Sequence, residues 1–152
     1  MPVTGETSAP AGWGSVGRSS ATLSACDVSR GPHVKICHVP DCLFCGIAAG
    51  DIPATIVSAT PRTIAFRDIN PQAPVHILVI PRAHHANLAD LAAAGDGLLA
   101  DLVGHAHEVA QAEGIAADGY RVVFNTGPNA GQTVPHAHAH VLGGRPMGWP
   151  PG

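Results

Sequence analysis

The sequence predicts an α+β domain: an antiparallel five-stranded sheet with one long and one short helix on one side of it. Three observations predict this. Five short runs have the alternation or β-branched density of strands, and polar turns bearing Pro or Gly separate them. One extended stretch with 3.6-residue periodicity, residues 88–114, interrupts those runs once. At 152 residues, 45% of them hydrophobic, the chain has room for one moderate core and not for two.

Order is expected to begin near Asp41, so that residues 41–152 form the domain. "DCLFCGIAAGD" (41–51) reads as a short helix ended by Gly50, with Pro53 just beyond it. "ATIVSA" (54–59) and "TIAFRD" (63–68) are strand candidates joined by the hairpin-like "TPR". "DINPQAP" (68–74) is a polar, proline-bearing loop. "VHILVIP" (75–81) suits a buried strand stopped by Pro81. Leu88, Leu91, Leu98, Leu99, Leu102, Val103 and Val109 then fit one long helix, or two broken near Gly95–Gly97, with Gly114 as the stop. "YRVVFNTG" (120–127) and "PHAHAHVLG" (135–143) are the last two strands, on either side of the loop "GPNAGQT".

Residues 1–40 are dominated by Gly, Ser, Pro and Thr and show neither period. Such a segment buries too little apolar surface to offset its ordering entropy, and a disordered extension is expected. Cys26, His33, Cys37 and His38 within it are either metal ligands or incidental residues of a tail. The formal net charge is −3, and the single lysine and seven arginines are scattered. That distribution leaves no footprint for a nucleic-acid polymer, although it permits a single nucleotide. No window is long and apolar enough for a helical membrane span, and the first residues lack a secretion signal. A cytoplasmic location is therefore expected, where Cys26, Cys37, Cys42 and Cys45 would be free thiols or metal ligands and not disulfides.

The segment "PHAHAHVLGG" (135–144) places His136, His138 and His140 at every second position. On a strand these imidazoles share one face, roughly 6.6 Å apart, while Ala137 and Ala139 face closely packed neighbours. Three readings follow: a solvated sheet face, a metal site, or nucleophilic catalysis. For a metal site, His-x-His is a chelate, and Cys42 and Cys45 (spaced C-x2-C) add thiolates that favour zinc. For catalysis, a neutral imidazole attacks phosphorus once one ring nitrogen is fixed as a donor, and flanking imidazoles can hold phosphate oxygens. The loop "NTGPNAGQT" (125–133) adds backbone N–H groups and the side chains of Asn125, Gln132 and Thr133.

"HAHAHVL" resembles the motif of the histidine-triad (HIT) family of nucleotide hydrolases and transferases. "DCLFCGIAAGDIPATIV", "AFRDINPQAPVHILVIPRAHHANLADL" and "GQTVPHAHAHVLGGRPMGWPPG" resemble its landmarks in the same order, over about residues 41–152. The ending "GGRPMGWPPG" is similar to the Hint branch, which cleaves phosphoramidates of purine nucleoside monophosphates. The resemblance implies a homodimer whose sheet continues across the interface. It makes His138 the nucleophile on the α-phosphorus, with the His136 carbonyl orienting it and His140 on the phosphate. His76 would lie near the triad and Thr133 near the phosphate and leaving group. Asn125 and Gln132 would belong to the phosphate site, and Asp68 would accept from the ribose hydroxyls. Each of these has a plainer reading too: Asp68 as a turn residue, Asn125 as a cap, Thr133 as a loop closure, His76 as a core histidine. Rivals to this activity are a dinucleoside polyphosphate hydrolase and a nucleotide- or zinc-binding regulatory module.

Many bacterial relatives that resemble this chain hold a structural zinc. The matching residues are Cys42, Cys45, His84 of "PRAH" and His136, a closed set of four with no position for water. His85 adjoins His84 and competes for that role, and the cysteines also read as small buried hydrophobes. The chain departs from the family pattern in Ala137 and Ala139, in Thr133 for serine, and in Gly148 near the C-terminus.

Overall fold

The run Val75–Pro81 forms the central strand in a computed structural model that describes residues 39–151. The elements in chain order are α1 (Leu43–Ala49), β1 (Ile56–Ala59), β2 (Thr63–Arg67), β3 (Val75–Pro81), α2 (Leu88–Ala93), α3 (Leu98–Ala112), β4 (Arg121–Val123) and β5 (Ala139–Gly143). A 3-10 turn, Pro128–Ala130, lies between the last two strands. The expected extension up to residue 38, with Cys26, His33, Cys37 and His38, lies outside the described residues.

The five strands form one antiparallel sheet in the order β1-β2-β3-β5-β4. β5 is last in sequence and sits between β3 and β4, with Val79 opposite Ala139, His76 opposite Leu142, and Val123 opposite His140. The α+β class and the five strands agree with the sequence reading. The helices do not all lie on one side, however. Ile77 and Val79 pack with Leu91 of α2 and with Leu102, Ala106 and Val109 of α3, whereas Leu78 and Ile80 pack with Phe44 and Ile47 of α1. The cause is the pattern of β3 itself. It is apolar at both parities, so both sheet faces need a cover.

The helical stretch is two helices and not one. Gly95 (φ 65°) and Gly97 (φ 83°) are left-handed, a backbone that other residues rarely adopt. Between them Asp96 Oδ1 accepts the Leu98 N–H at 3.0 Å and restarts the helix. The helices therefore number three among the described residues. Gly50 ends α1 as expected, its N–H turned back to the Gly46 and Ile47 carbonyls. The last strand is shorter than expected: it starts at Ala139, so only His140 of the three alternating histidines belongs to the ladder. The preceding residues are diverted by other bonds, Ala137 N–H to the His85 carbonyl (2.6 Å) and His136 N–H to the Val134 carbonyl (2.8 Å).

No described helix is long and apolar enough to cross a membrane. At the far end of β5 the backbone meets the turn after α3. A Cβ on Gly143 would lie 2.5 Å from Ile115 Cδ1 and 3.0 Å from its Cβ. Gly143→Ala is therefore expected to destabilise the fold by about 1–3 kcal/mol through overpacking, read as a lower midpoint in urea unfolding.

Candidate active site and metal centre

His138 Nδ1 lies 2.7 Å from the carbonyl oxygen of His136. A carbonyl only accepts, so Nδ1 carries the proton and Nε2 keeps the lone pair. The ring is buried, and Phe44 stands edge-on to it with centroids 5.2 Å apart. Ala137 and Ala139 point the other way, into the core that α3 covers. The alternation expected of a strand thus persists through His138 without ladder pairing.

A second chain of imidazoles fixes another tautomer. The Gln72 N–H donates to His76 Nδ1 at 3.1 Å, which leaves the His76 proton on Nε2. That Nε2 is 2.9 Å from His140 Nδ1 and donates to it. His140 Nε2 must then be an N–H, and it is the one buried side-chain polar atom among the described residues without a partner. Such a donor suits an anionic oxygen. Burial, assisted by the neighbouring His138 and His76, pushes His140 down to about 4, so it is neutral at pH 7. Burial also lowers His76, against the pull of Asp68.

Asp68 follows β2 directly, its Oδ1 accepting the Asn70 N–H at 2.8 Å and its Oδ2 3.5 Å from His76 Nε2. Asp68, His76 and His140 bring three donor atoms within 4.8 Å of one another. The Gln72 N–H nevertheless commits His76 Nε2 to a proton, where a metal would need its lone pair. This trio therefore suits proton positioning and not metal binding.

Cys42, Cys45, His84 and His136 converge at a separate point. Cys42 Sγ to His136 Nδ1 is 3.5 Å, Cys45 Sγ to His136 Nδ1 is 3.6 Å, and Cys45 Sγ to His84 Nδ1 is 3.4 Å. Tetrahedral zinc with ordinary Zn–S and Zn–N bonds sets such separations at about 3.6 Å, so the four residues fit the ion. His136 Nε2 donates to the Pro81 carbonyl at 2.9 Å, which turns the Nδ1 lone pair toward the sulfurs. Burial pushes the Cys45 thiol up, whereas ligation needs the thiolate, so a divalent cation would offset that burial. His84 takes the ring position, while His85 contributes its carbonyl to Ala137.

The remaining candidates are distributed unevenly. Extending the pairing of Val123 with His140 places Asn125 opposite His138. Thr133 is exposed and lines an open cavity of about 400 Å³ with Asp41, Cys42, Leu43 and His84, on the tetrad side. The Gln132 side chain is taken up by backbone groups. Its Oε1 accepts the Gly127 N–H, and its Nε2 donates to the Ala86 and Val134 carbonyls. Two contributors went unnoticed in the sequence. Phe44 had a signal, an aromatic set between two cysteines. Gln72 acts through its backbone and had none.

Among known proteins, the HIT domain matches residues 49–147. A 14 kDa zinc-binding protein of Zea mays is 49% identical over 113 residues, 72% of this chain and 87% of that protein. The purine nucleoside phosphoramidase of Escherichia coli K12 is 44% identical over 106 residues, 70% of this chain and 89% of that enzyme. A HIT family hydrolase from Legionella pneumophila Philadelphia 1 has a crystal structure that superposes with a TM-score of 0.71 at 52% identity. The match covers 74% of this chain and 100% of that one.

Burial lowers both His136 and His140 to about 4, while an unfolded histidine titrates near 6.5. As pH falls below about 6.5 the unfolded chain takes up protons that the folded one refuses, and stability drops until about pH 4. Urea midpoints of metal-stripped protein are expected to fall across that window, and His140→Gln to flatten the decline.

Proposed function

The chain belongs to the histidine-triad (HIT) family, and from that premise we propose that it is a hydrolase of the P–N bond in purine nucleoside 5′-phosphoramidates. The observation that carries the reading is the 2.7 Å bond from His138 Nδ1 to the His136 carbonyl, which leaves Nε2 as a nucleophile with one available lone pair. His138 Nε2 attacks the α-phosphorus, the P–N electron pair departs with the amine as it takes up a proton, and a nucleotidyl-histidine remains. Water then breaks the P–Nε2 bond, releasing the nucleoside monophosphate and restoring His138. The His140 Nε2–H donates to a phosphoryl oxygen as charge builds on it. Asp68, part-buried at the end of β2, accepts from the ribose hydroxyls, and Asn125, opposite His138, borders the phosphate. The relative named as a purine nucleoside phosphoramidase supports this choice of substrate.

The same reading gives the Cys42, Cys45, His84 and His136 set a zinc ion. When bound, the ion supplies a closed structural cross-link and no open coordination position. The spacing of the four donors supports this, as does the relative named as a zinc-binding protein. The protein also forms a homodimer in this reading, its sheet continuing past β4, which is an edge strand within the protomer.

Intact-mass spectrometry during turnover of an adenosine phosphoramidate tests the chemistry. An adenylyl adduct is expected on the native chain and none on His138→Ala, whose turnover should fall by about 10³-fold or more. Folded native protein that forms no adduct and releases no AMP would overturn the assignment. Chelation should release one zinc per chain and speed amide exchange over residues 42–48, while the adduct still forms. Unchanged exchange there would sink the cross-link.

A further inference from the structure

We propose that Arg145 is a positioning residue that clamps residue 72 and thereby holds His76 and His140 in the tautomers that make His140 Nε2 a donor. Arg145 Nη2 donates to the Gln72 carbonyl at 3.0 Å, and the Gln72 N–H in turn donates to His76 Nδ1 at 3.1 Å. A charged donor on a carbonyl is a strong bond among the few that hold this exposed loop. Within the loop, Gln72 Nε2 donates to the Asn70 carbonyl, and the Asn70 N–H donates to Asp68 Oδ1. Ordering residue 72 therefore also orders the approach to Asp68.

The segment that carries Arg145 is itself held at two points. Gly144 (φ 83°) turns the chain against the loop, so close that a Cβ there would lie 3.0 Å from Pro74 Cβ. Three residues beyond Arg145, the Gly148 carbonyl accepts from Arg121 Nη2 at 2.7 Å, which ties the tail to β4. Arg145 thus reaches Gln72 from an anchored base, with its Nη1 on the Pro146 carbonyl at 3.1 Å.

Tautomers give the clamp its consequence. If the Gln72 N–H leaves His76 Nδ1, that nitrogen is free to hold the proton, and Nε2 becomes an acceptor. His140 Nδ1 then donates to it, and His140 Nε2 turns from a buried N–H into a buried lone pair. Facing a phosphoryl oxygen, that lone pair repels where the N–H would attract. A contact on the protein surface would therefore set the sign of an interaction inside the site.

The test uses the full chain with Arg145→Met, which keeps the stem and removes every donor, and Arg145→Lys, which restores one. Long-range ¹H–¹⁵N imidazole spectra read the tautomers directly. The native chain should show Nε2–H at His76 and His140. Arg145→Met should show mixed tautomers at both while His105 stays unchanged, and Arg145→Lys should recover part of the native pattern. Turnover of the adenosine phosphoramidate, a readout that rests on the proposed hydrolase activity, should show kcat about tenfold lower in Arg145→Met. Native tautomers in Arg145→Met would overturn the proposal, and so would a loss of activity with the tautomers intact. The spectra need no substrate. A native chain without turnover would thus count against the hydrolase reading alone.

Discussion

The arrangement depends on the carbonyl of residue 136. It accepts the His138 Nδ1 proton at 2.7 Å, and it can hold that direction because residue 136 is fixed on every side. Its N–H goes to the Val134 carbonyl, its Nε2–H goes to the Pro81 carbonyl, and its Nδ1 faces Cys42 and Cys45. A free imidazole exchanges its proton between two nitrogens, and only one of those forms presents Nε2 to phosphorus. Immobilising the acceptor is therefore equivalent to choosing the reactive form. The nucleophile and the cysteine–histidine tetrad meet in one residue, through its carbonyl on one side and its ring on the other.

The sheet makes this possible by being apolar on both faces. Ala137, Ala139 and Val141 lie against α3, where small side chains let Leu102 and Ala106 approach the strand closely. On the opposite face α1 brings Phe44 edge-on to both His136 and His138, so an aromatic ring packs against both imidazoles. Polar groups on the helix side are satisfied as well. His105 of α3 lies 2.7 Å from Thr63 Oγ1 and 3.0 Å from Ser58 Oγ, a bridge from the helix to β2 and β1. The long helix is thus held to the sheet by apolar packing at its centre and by hydrogen bonds at the edge.

Much of this was legible in the residues. Alternating histidine and alanine over five positions reports a two-sided extended chain whether or not a ladder forms, because the period belongs to the backbone. Gly95 and Gly97 offered a helix break as one of two readings, and C-x2-C pointed to a metal site whose histidine partners came from the family resemblance. The sequence said less about which face α1 covers. A strand with apolar residues at both parities demands cover on both sides but does not say which helix goes where, and that depends on chain lengths and turns. The resemblance assigned Gln132 to the phosphate site, whereas its side chain here serves three backbone groups. An amide in that role reads no differently in sequence from one that serves a ligand. Gln72 is a sharper case. Its contribution is a peptide N–H, which any residue except proline would supply.

The placement of β5 between β3 and β4 bears on how the molecule is made. Synthesis delivers β1, β2, β3 and β4 before the strand that joins them. Until residues 139–143 emerge, β3 has an open edge and β4 has no neighbour to pair with. The segment that closes this gap carries His140, and His138 immediately precedes it. Sheet completion and assembly of the imidazole cluster are then a single late event, because Asp68 and His76 wait for His138 and His140. The interval before closure is the chain's period of exposure, when the apolar β3 is the surface a nascent-chain chaperone would shield.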